Sequence, residues 1–324
     1  MKTVVISHPL YKPGMDALEG KVNLIIPDNG DSDVIIDDLK KAHGFILRIG
    51  KIDRRAIEAC PDLEVITRPG VGVDNVDVAA ATEHGIPVVI CPAANTHAVA
   101  EHTVAMMFAI GKNLVESDVE TRKGNFAIRN KYAAIELAGR TLSLLGFGNI
   151  GKEVGRLAKA LGMHVVAYDP IATQAQVEAL GCAYAASLED AVAQGDFVSL
   201  HMPSLPSTKG LLDKKLFGLM KPTAFFINCA RGDIVNEQDL YKVLSHRRIA
   251  GAAVDVLAAE PMDRNSPLME LDNFIVTPHM AGQTQESTST IVTLAAEGTL
   301  AVLRGEKWPH ICNPEVYEHP KWKK

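Results

Sequence analysis

Short β-branched and apolar runs alternate with stretches of helical spacing along most of the chain. In the first ninety or so residues (the segment Lys2 to Pro92) the runs are Thr3 to Ile6, Asn23 to Ile26, Phe45 to Leu47, Glu64 to Thr67 and Val88 to Cys91. Between them, Val34 to Ala42, Arg54 to Cys60 and Val78 to His84 carry the helical period. Strand and helix in strict alternation predict a mostly parallel sheet covered on both faces. A second set of strands is predicted at Thr141 to Leu145, His164 to Tyr168, Phe197 to His201, Ala224 to Asn228, Ala252 to Val256 and Phe274 to Thr277, which matches a six-stranded doubly wound sheet. His97 to about Lys123 links the two sets. It has few breakers and is expected to be one long connecting helix. Ser287 to Arg304 is also expected to be helical and to pack back on the first domain. The expected division is therefore a discontinuous domain, 1–97 with 286–324, and a second domain, 98–285.

Composition adds mainly exclusions. The 324 residues are 47% hydrophobic and 22% charged, which points to neither disorder nor a membrane protein. A formal charge of −6 is no basic footprint for nucleic acid, and no run approaches a membrane-spanning length. Cys60, Cys91, Cys182, Cys229 and Cys312 are far apart, with no close pair and no histidine at metal-ligand spacing. They read as reduced thiols, and no metal site is expected. The opening residues suit a first strand better than a signal peptide, so the expected compartment is the cytoplasm. No short-period repeat or low-complexity segment is present.

Leu142 to Asp169 carries the first chemistry. A strand of buried type runs into Gly146-Phe-Gly148-Asn149-Ile150-Gly151, then a helix with Ile150, Val154, Leu157, Ala158 and Leu161 on one stripe. Gly146 makes the tight turn, Gly148 admits a pyrophosphate to the backbone, and Gly151 lets helix and strand approach. The helix start offers unpaired N–H groups to an anion. The next strand ends in Asp169, an acid placed for ribose hydroxyls, whose charge would repel a 2′-phosphate. NAD is the expected cofactor. The same acid before Pro170 is also what an ordinary strand end carries.

Three more segments place polar residues after strands: Asn228-Cys229-Ala230-Arg231-Gly-Asp, Asp255-Val-Leu-Ala-Ala-Glu260-Pro, and Thr277-Pro-His279-Met-Ala-Gly282. With Gly70-Val71-Gly72-Val-Asp-Asn75-Val-Asp77 in the first domain, the chain resembles the D-isomer-specific 2-hydroxyacid dehydrogenases over nearly its whole length. The resemblance implies an α/β fold: a doubly wound (Rossmann) cofactor domain plus a smaller flavodoxin-like substrate domain. It implies an NAD-dependent enzyme that interconverts a small D-2-hydroxy acid and its 2-keto acid. It gives Arg231, Glu260 and His279 the catalytic roles. It also implies cofactor contacts at Gly146, Gly148, Asn149, Ile150, Gly151, Asp169, Cys229, Ala230, Arg231, Asp255, His279 and Gly282.

The chemistry needs these residue types. A 2-keto acid needs a cation for its carboxylate and carbonyl, a proton donor for the developing alkoxide, and a hydride held close. Arg231 is a planar, permanently charged fork, His279 can give or take a proton, and Glu260 beside it would hold the ring. Each also has a plainer reading, as a turn residue, a loop acid or a core histidine. The other ten histidines match no motif, and His102 with Glu101 is read as a packing or interface residue.

For the substrate the resemblance implies contacts from Val71, Gly72, Arg231 and His279. Phe45-Ile-Leu-Arg48 and Arg129-Asn-Lys131 are similar to segments of 3-phosphoglycerate dehydrogenases in which arginines meet a phosphate. Solvated surface cations explain them equally well. Glycerate with hydroxypyruvate, lactate and sulfolactate stay open as substrates, while formate dehydrogenases carry glutamine where Glu260 stands. The resemblance also implies a homodimer, with Met106-Met107-Phe108 suited to either a twin subunit or an intramolecular core. The alternative to an enzyme is an NAD-sensing binding module of the co-repressor kind. It is disfavoured because both termini end close to the predicted core. Likewise, no regulatory domain of the long-form phosphoglycerate dehydrogenases is expected after Lys324.

Overall fold

In the computed structural model, which describes residues 1–28, 30–131 and 134–323, the apolar runs pair into two sheets, one in each of two units. Unit 1 comprises Met1–Asn95 with Gln283–Lys324, and unit 2 comprises Thr96–Gly282.

Unit 1 holds β1 (Thr3–Ile6), β2 (Asn23–Ile25), β3 (Gly44–Ile46), β4 (Val65–Thr67) and β5 (Val88–Val89) in the order β2-β1-β3-β4-β5, all parallel. Successive side chains point to opposite faces. Val5, Phe45, Ile66 and Val88 pack with Leu39, Ile57 and Ala80, whereas Val4, Ile6 and Ile46 pack with Leu18, Val292 and Leu300. Both faces are covered, which is why the strands read as unbroken apolar runs. The last three of those residues come from helices Lys12–Leu18 and Gln285–Leu303, which pack on each other. Burying Val292 or Leu300 contributes roughly 1.5–3 kcal/mol each. A buried bond between the hydroxyls of Thr67 and Thr299, at 2.7 Å, fixes the late helix on β4.

Unit 2 holds β6 (Thr141–Leu145), β7 (His164–Tyr168), β8 (Ala183–Tyr184), β9 (Phe197–Leu200), β10 (Phe225–Asn228), β11 (Gly251–Val254) and β12 (Phe274–Val276), in the order β12-β11-β10-β9-β6-β7-β8. The sheet has seven strands rather than the six expected, because β8 is a two-residue edge strand too short to show a period. Val276, Val254, Asn228, Leu200, Leu145 and Tyr168 are neighbours across successive ladders, so six strands end on one level. Strand order reverses at β6, and ligands of open α/β sheets collect outside the carboxyl ends at such a switch.

The long connecting helix is not one helix. It breaks into Thr96–Gly111 and Leu114–Arg122, with Asn113 left-handed at φ 52°, ψ 37°. Asparagine tolerates that conformation better than most residues with a side chain. The break also divides two environments. Met106 and Met107 are buried in the core of unit 2 with Phe197 and Ile227, which makes them core residues, whereas Leu114–Arg122 buries no residue. The segment read as helical from Val34 to Ala42 forms only one turn, Ile36–Leu39.

Candidate active site

The turn after β6 is built by sterics. Gly146 lies at φ +108°, and a Cβ there would sit 2.5 Å from the His201 carbonyl oxygen. One on Gly151 would sit 2.3 Å from the Gly146 carbonyl oxygen. Gly148 is different, because a Cβ there would meet nothing within 4 Å. It is the N-cap of helix Asn149–Ala160 and brings no side-chain cap to the first turn, and Gly148 and Asn149 are both exposed. This arrangement fits a pyrophosphate. Ile150 is half-buried on the same turn.

Asp169, at the end of β7, accepts N–H bonds from Phe147 at 2.7 Å, Ile171 at 2.8 Å and Ala172 at 2.9 Å. Burial pushes its carboxyl up, but these three bonds and the charge of Lys152 outweigh it, and the net shift is downward. The carboxylate therefore stays ionised and ties the glycine turn to the neighbouring strand. His201, one residue past β9, receives or donates a bond with Ser199 Oγ at 2.9 Å, and desolvation pushes its imidazole down to about 4.

Arg231 lies three residues past the end of β10, Asp255 one past β11 and His279 three past β12, on adjacent strands ending level. Asn228 shapes the first loop, accepting from Ala230 N–H at 2.9 Å and donating to the Arg231 carbonyl at 3.0 Å. The Arg231 guanidinium donates to the Ala230 carbonyl at 2.7 Å and is half-buried. Buried Gly232 follows it, against the main chain of Leu257. Glu260 accepts the Leu257 N–H through Oε1 at 3.2 Å and pairs through Oε2 with His279 Nδ1 at 2.7 Å. A carboxylate only accepts, so Nδ1 carries the proton of that bond, and Nε2 is the ring nitrogen on the side away from Glu260. His279 itself sits at φ +53°, an uncommon place for a residue with a side chain.

The remaining residues singled out from the sequence are placed as follows. Cys229 is buried, and desolvation pushes its thiol up to about 12 although Thr103 bonds to it, so it packs rather than reacts. Ala230, next in the chain, and Gly282, on the loop after β12, are half-buried. Asp255 is 1% exposed, with its carboxylate engaged by the His279 loop. In unit 1, Val71 is exposed and Gly72 half-buried in the loop after β4. Arg48 donates to the Pro9 carbonyl and lies 4.7 Å over the Tyr11 ring. Arg129, in unit 2, is exposed and lies 5.2 Å over the Phe126 ring.

The sequence reading missed two partners of Asp255. Thr277 donates to its carboxylate, and His102, read as packing, reaches Thr277 Oγ1 at 3.1 Å. Only the Thr that precedes Pro278-His279 gave any local signal. All five cysteines are free, and among the described residues no cluster of three metal-ligating side chains forms and no helix is long and apolar enough to cross a membrane.

Residues 104–281 match the family model described as the NAD binding domain of D-isomer specific 2-hydroxyacid dehydrogenases. The chain is 36% identical to a D-3-phosphoglycerate dehydrogenase of Methanocaldococcus jannaschii, over 97% of its own length and 60% of that protein. It is 40% identical to the chloroplastic D-3-phosphoglycerate dehydrogenase 2 of Arabidopsis thaliana, over 89% of its length and 47% of that one. It thus spans about half to three-fifths of these curated relatives. The crystal structure of a D-lactate dehydrogenase from Aquifex aeolicus, complexed with NAD and lactic acid, superposes with a TM-score of 0.86 at 30% identity, covering 94% of this chain and 96% of that one.

Proposed function

Because the chain belongs to the D-isomer-specific 2-hydroxyacid dehydrogenases, we propose that it reduces a small 2-keto acid to the D-2-hydroxy acid, and catalyses the reverse, with NAD. The observation that carries this reading is the His279–Glu260 pair on the same carboxyl edge of the sheet as the open turn at Gly148. The cofactor, when bound, would supply the hydride as NADH in reduction and accept it as NAD in the reverse direction. Arg231 binds the substrate carboxylate and polarises the carbonyl through its fork of donors. His279 delivers the Nε2 proton to the carbonyl oxygen as charge develops there, and takes a proton back from solvent. Glu260 holds the ring through Nδ1 and balances the imidazolium. In unit 1, the loop at Val71 and Gly72 carries main-chain N–H groups of the kind that bind anions.

The substrate we propose is 3-phosphohydroxypyruvate, with Arg48 as the cation for its phosphate. The support is the run of 3-phosphoglycerate dehydrogenases among the relatives and the permanent charge of the half-buried Arg48. We place the enzyme in the cytoplasm as a homodimer. Leu114, Val115, Val119 and Phe126 are 43–68% exposed on consecutive elements, an apolar face that a second copy would cover.

Steady-state oxidation of NADH against a panel of 2-keto acids tests the activity. His279→Ala is expected to keep NADH binding while turnover falls by about 10²–10⁴-fold. Lost cofactor affinity with intact turnover would refute the role of His279. No turnover by the wild-type protein on any acid, with NADH bound, would favour a cofactor-sensing module. Arg48→Ala should impair reduction of 3-phosphohydroxypyruvate far more than of hydroxypyruvate, and equal impairment would remove the phosphate assignment.

A further inference from the structure

Three consecutive main-chain N–H groups converge on Asp255. His279 donates to its carbonyl at 2.8 Å, Met280 to Oδ1 at 3.0 Å and Ala281 to Oδ2 at 2.8 Å. The clamp has a task, because a left-handed residue with a side chain costs roughly 1–2 kcal/mol. Such a conformation persists only where the surroundings over-determine it.

The clamp is itself held in a definite direction. Oδ1 also takes the hydroxyl proton of Thr277, since an ionised carboxylate has none to give. Thr277 Oγ1 therefore offers only lone pairs to its other neighbour, His102 Nε2, at 3.1 Å. His102 must donate through Nε2–H. Its ring is carried by helix Thr96–Gly111, which packs on β10, β11 and β12, and Nε2 lies 3.6 Å from Asp255 Oδ1.

We propose that His102 is a positioning residue for proton transfer at His279: its Nε2–H aligns the Thr277 hydroxyl on Asp255, and Asp255 clamps the main chain that carries the His279 imidazole. The inference rests on the dehydrogenase reading above. Without the His102 donor the Thr277 hydroxyl can rotate away, and the buried carboxylate loses one of the bonds that orient it. The damage falls on the geometry of the reacting ring rather than on substrate binding.

The test uses the full chain with His102→Ala, His102→Gln, Thr277→Val and the His102→Ala/Thr277→Val pair. Two readouts are taken: kcat and KM for the keto acid, and amide exchange by mass spectrometry over residues 277–283. His102→Ala should lower kcat by about ten- to a hundredfold, with KM within about threefold, since small misplacements of a reacting group cost that much. Amides 279–281 should exchange faster. Thr277→Val should do the same, and the pair should be no worse than either alone, because both break one chain of donors. His102→Gln, whose amide N–H has similar reach, should recover most of both readouts. Wild-type turnover and exchange in His102→Ala and Thr277→Val would overturn the proposal, as would a His102→Gln protein as impaired as His102→Ala. Should His102→Ala fail to fold, Thr277→Val against His102→Gln decides. If the wild-type chain reduces no 2-keto acid, the dehydrogenase reading falls, and the exchange data alone still decide whether His102 holds the loop.

Discussion

Gly232→Ala offers a sharp test of how the proposed catalytic groups are held. A Cβ at this position would lie 1.9 Å from the carbonyl carbon of Leu257, 2.1 Å from its oxygen and 2.5 Å from the nitrogen of Ala258, where ordinary contact begins near 3.4 Å. The two loops would have to part by about 1.5 Å at the closest atom. Neither obstacle is a flexible side chain that can swing away. Both belong to the main chain running to Glu260, whose Oε1 accepts the Leu257 N–H. The displacement passes to Arg231 on one side, and through Glu260 to His279 on the other.

Two magnitudes can be compared. Overpacking costs about 1–3 kcal/mol, and the usual gain from replacing glycine, about 0.4–1 kcal/mol from the unfolded chain, offsets part of it. A net loss near 1–2 kcal/mol lowers the melting temperature by roughly 2–8 °C and leaves a domain of ordinary stability folded. An ångström of misplacement, by contrast, costs about 10²-fold in rate, or roughly 2.7 kcal/mol of barrier. The expected result is kcat/KM down about a hundredfold in a folded protein whose NADH affinity stays within about threefold, because the turn at Gly146 is on another loop. Steady-state kinetics, NADH fluorescence titration and a thermal melt measure the three quantities. A folded Gly232→Ala protein with kcat/KM within about threefold of wild type would refute the reasoning, as would activity lost only in proportion to the unfolded fraction.

Asp169→Ala should relax the preference for NADH over NADPH by roughly ten- to a hundredfold, the worth of a hydrogen bond to a charged group, and an unchanged ratio of the two kcat/KM values would take Asp169 off the ribose. His201 titrates near 4 in the fold against 6.5 when unfolded. Its neutral ring thus favours folding fully above about pH 6.5, and this contribution is lost as pH falls toward 4, because the unfolded chain binds the proton first. His201→Gln should flatten that part of the melting-temperature profile, and an unaltered slope between those pH values would deny the desolvation. Val115→Ser with Val119→Ser should shift the protein toward monomer in sedimentation equilibrium at a given concentration, and an unmoved distribution would place the dimer contact elsewhere.

The strands were legible because both faces of each sheet are buried, so Val4 and Val5 are equally apolar although they point into different clusters. The proposed site residues stand out in the sequence for a related reason. Arg231, Glu260 and His279 stand just past strand ends, where a polar residue interrupts an apolar run. The break at Asn113 was not legible, because the apolar period continues through it at Leu114 while the burial stops. Nor was β8, since two residues hold no period.

What supports the site escapes the sequence for a deeper reason. A turn, a helix stripe or a glycine motif is fixed by residues a few positions apart, and spacing reports it. His102 meets Thr277 across 175 positions, and Gly232 meets Leu257 only because β10 and β11 lie side by side. Nothing in the period of the helix that carries His102 distinguishes it from a packing residue. The distinction lies in which buried group is already saturated with donors, a property of the folded hydrogen-bond inventory. Asp255 illustrates this directly. From its place after β11 it reads as a residue facing the cofactor, yet its carboxylate accepts two main-chain N–H groups and the Thr277 hydroxyl inside the protein. On the proposed reading a group so occupied fixes the His279 loop, and its contribution should therefore appear in kcat before it appears in cofactor affinity.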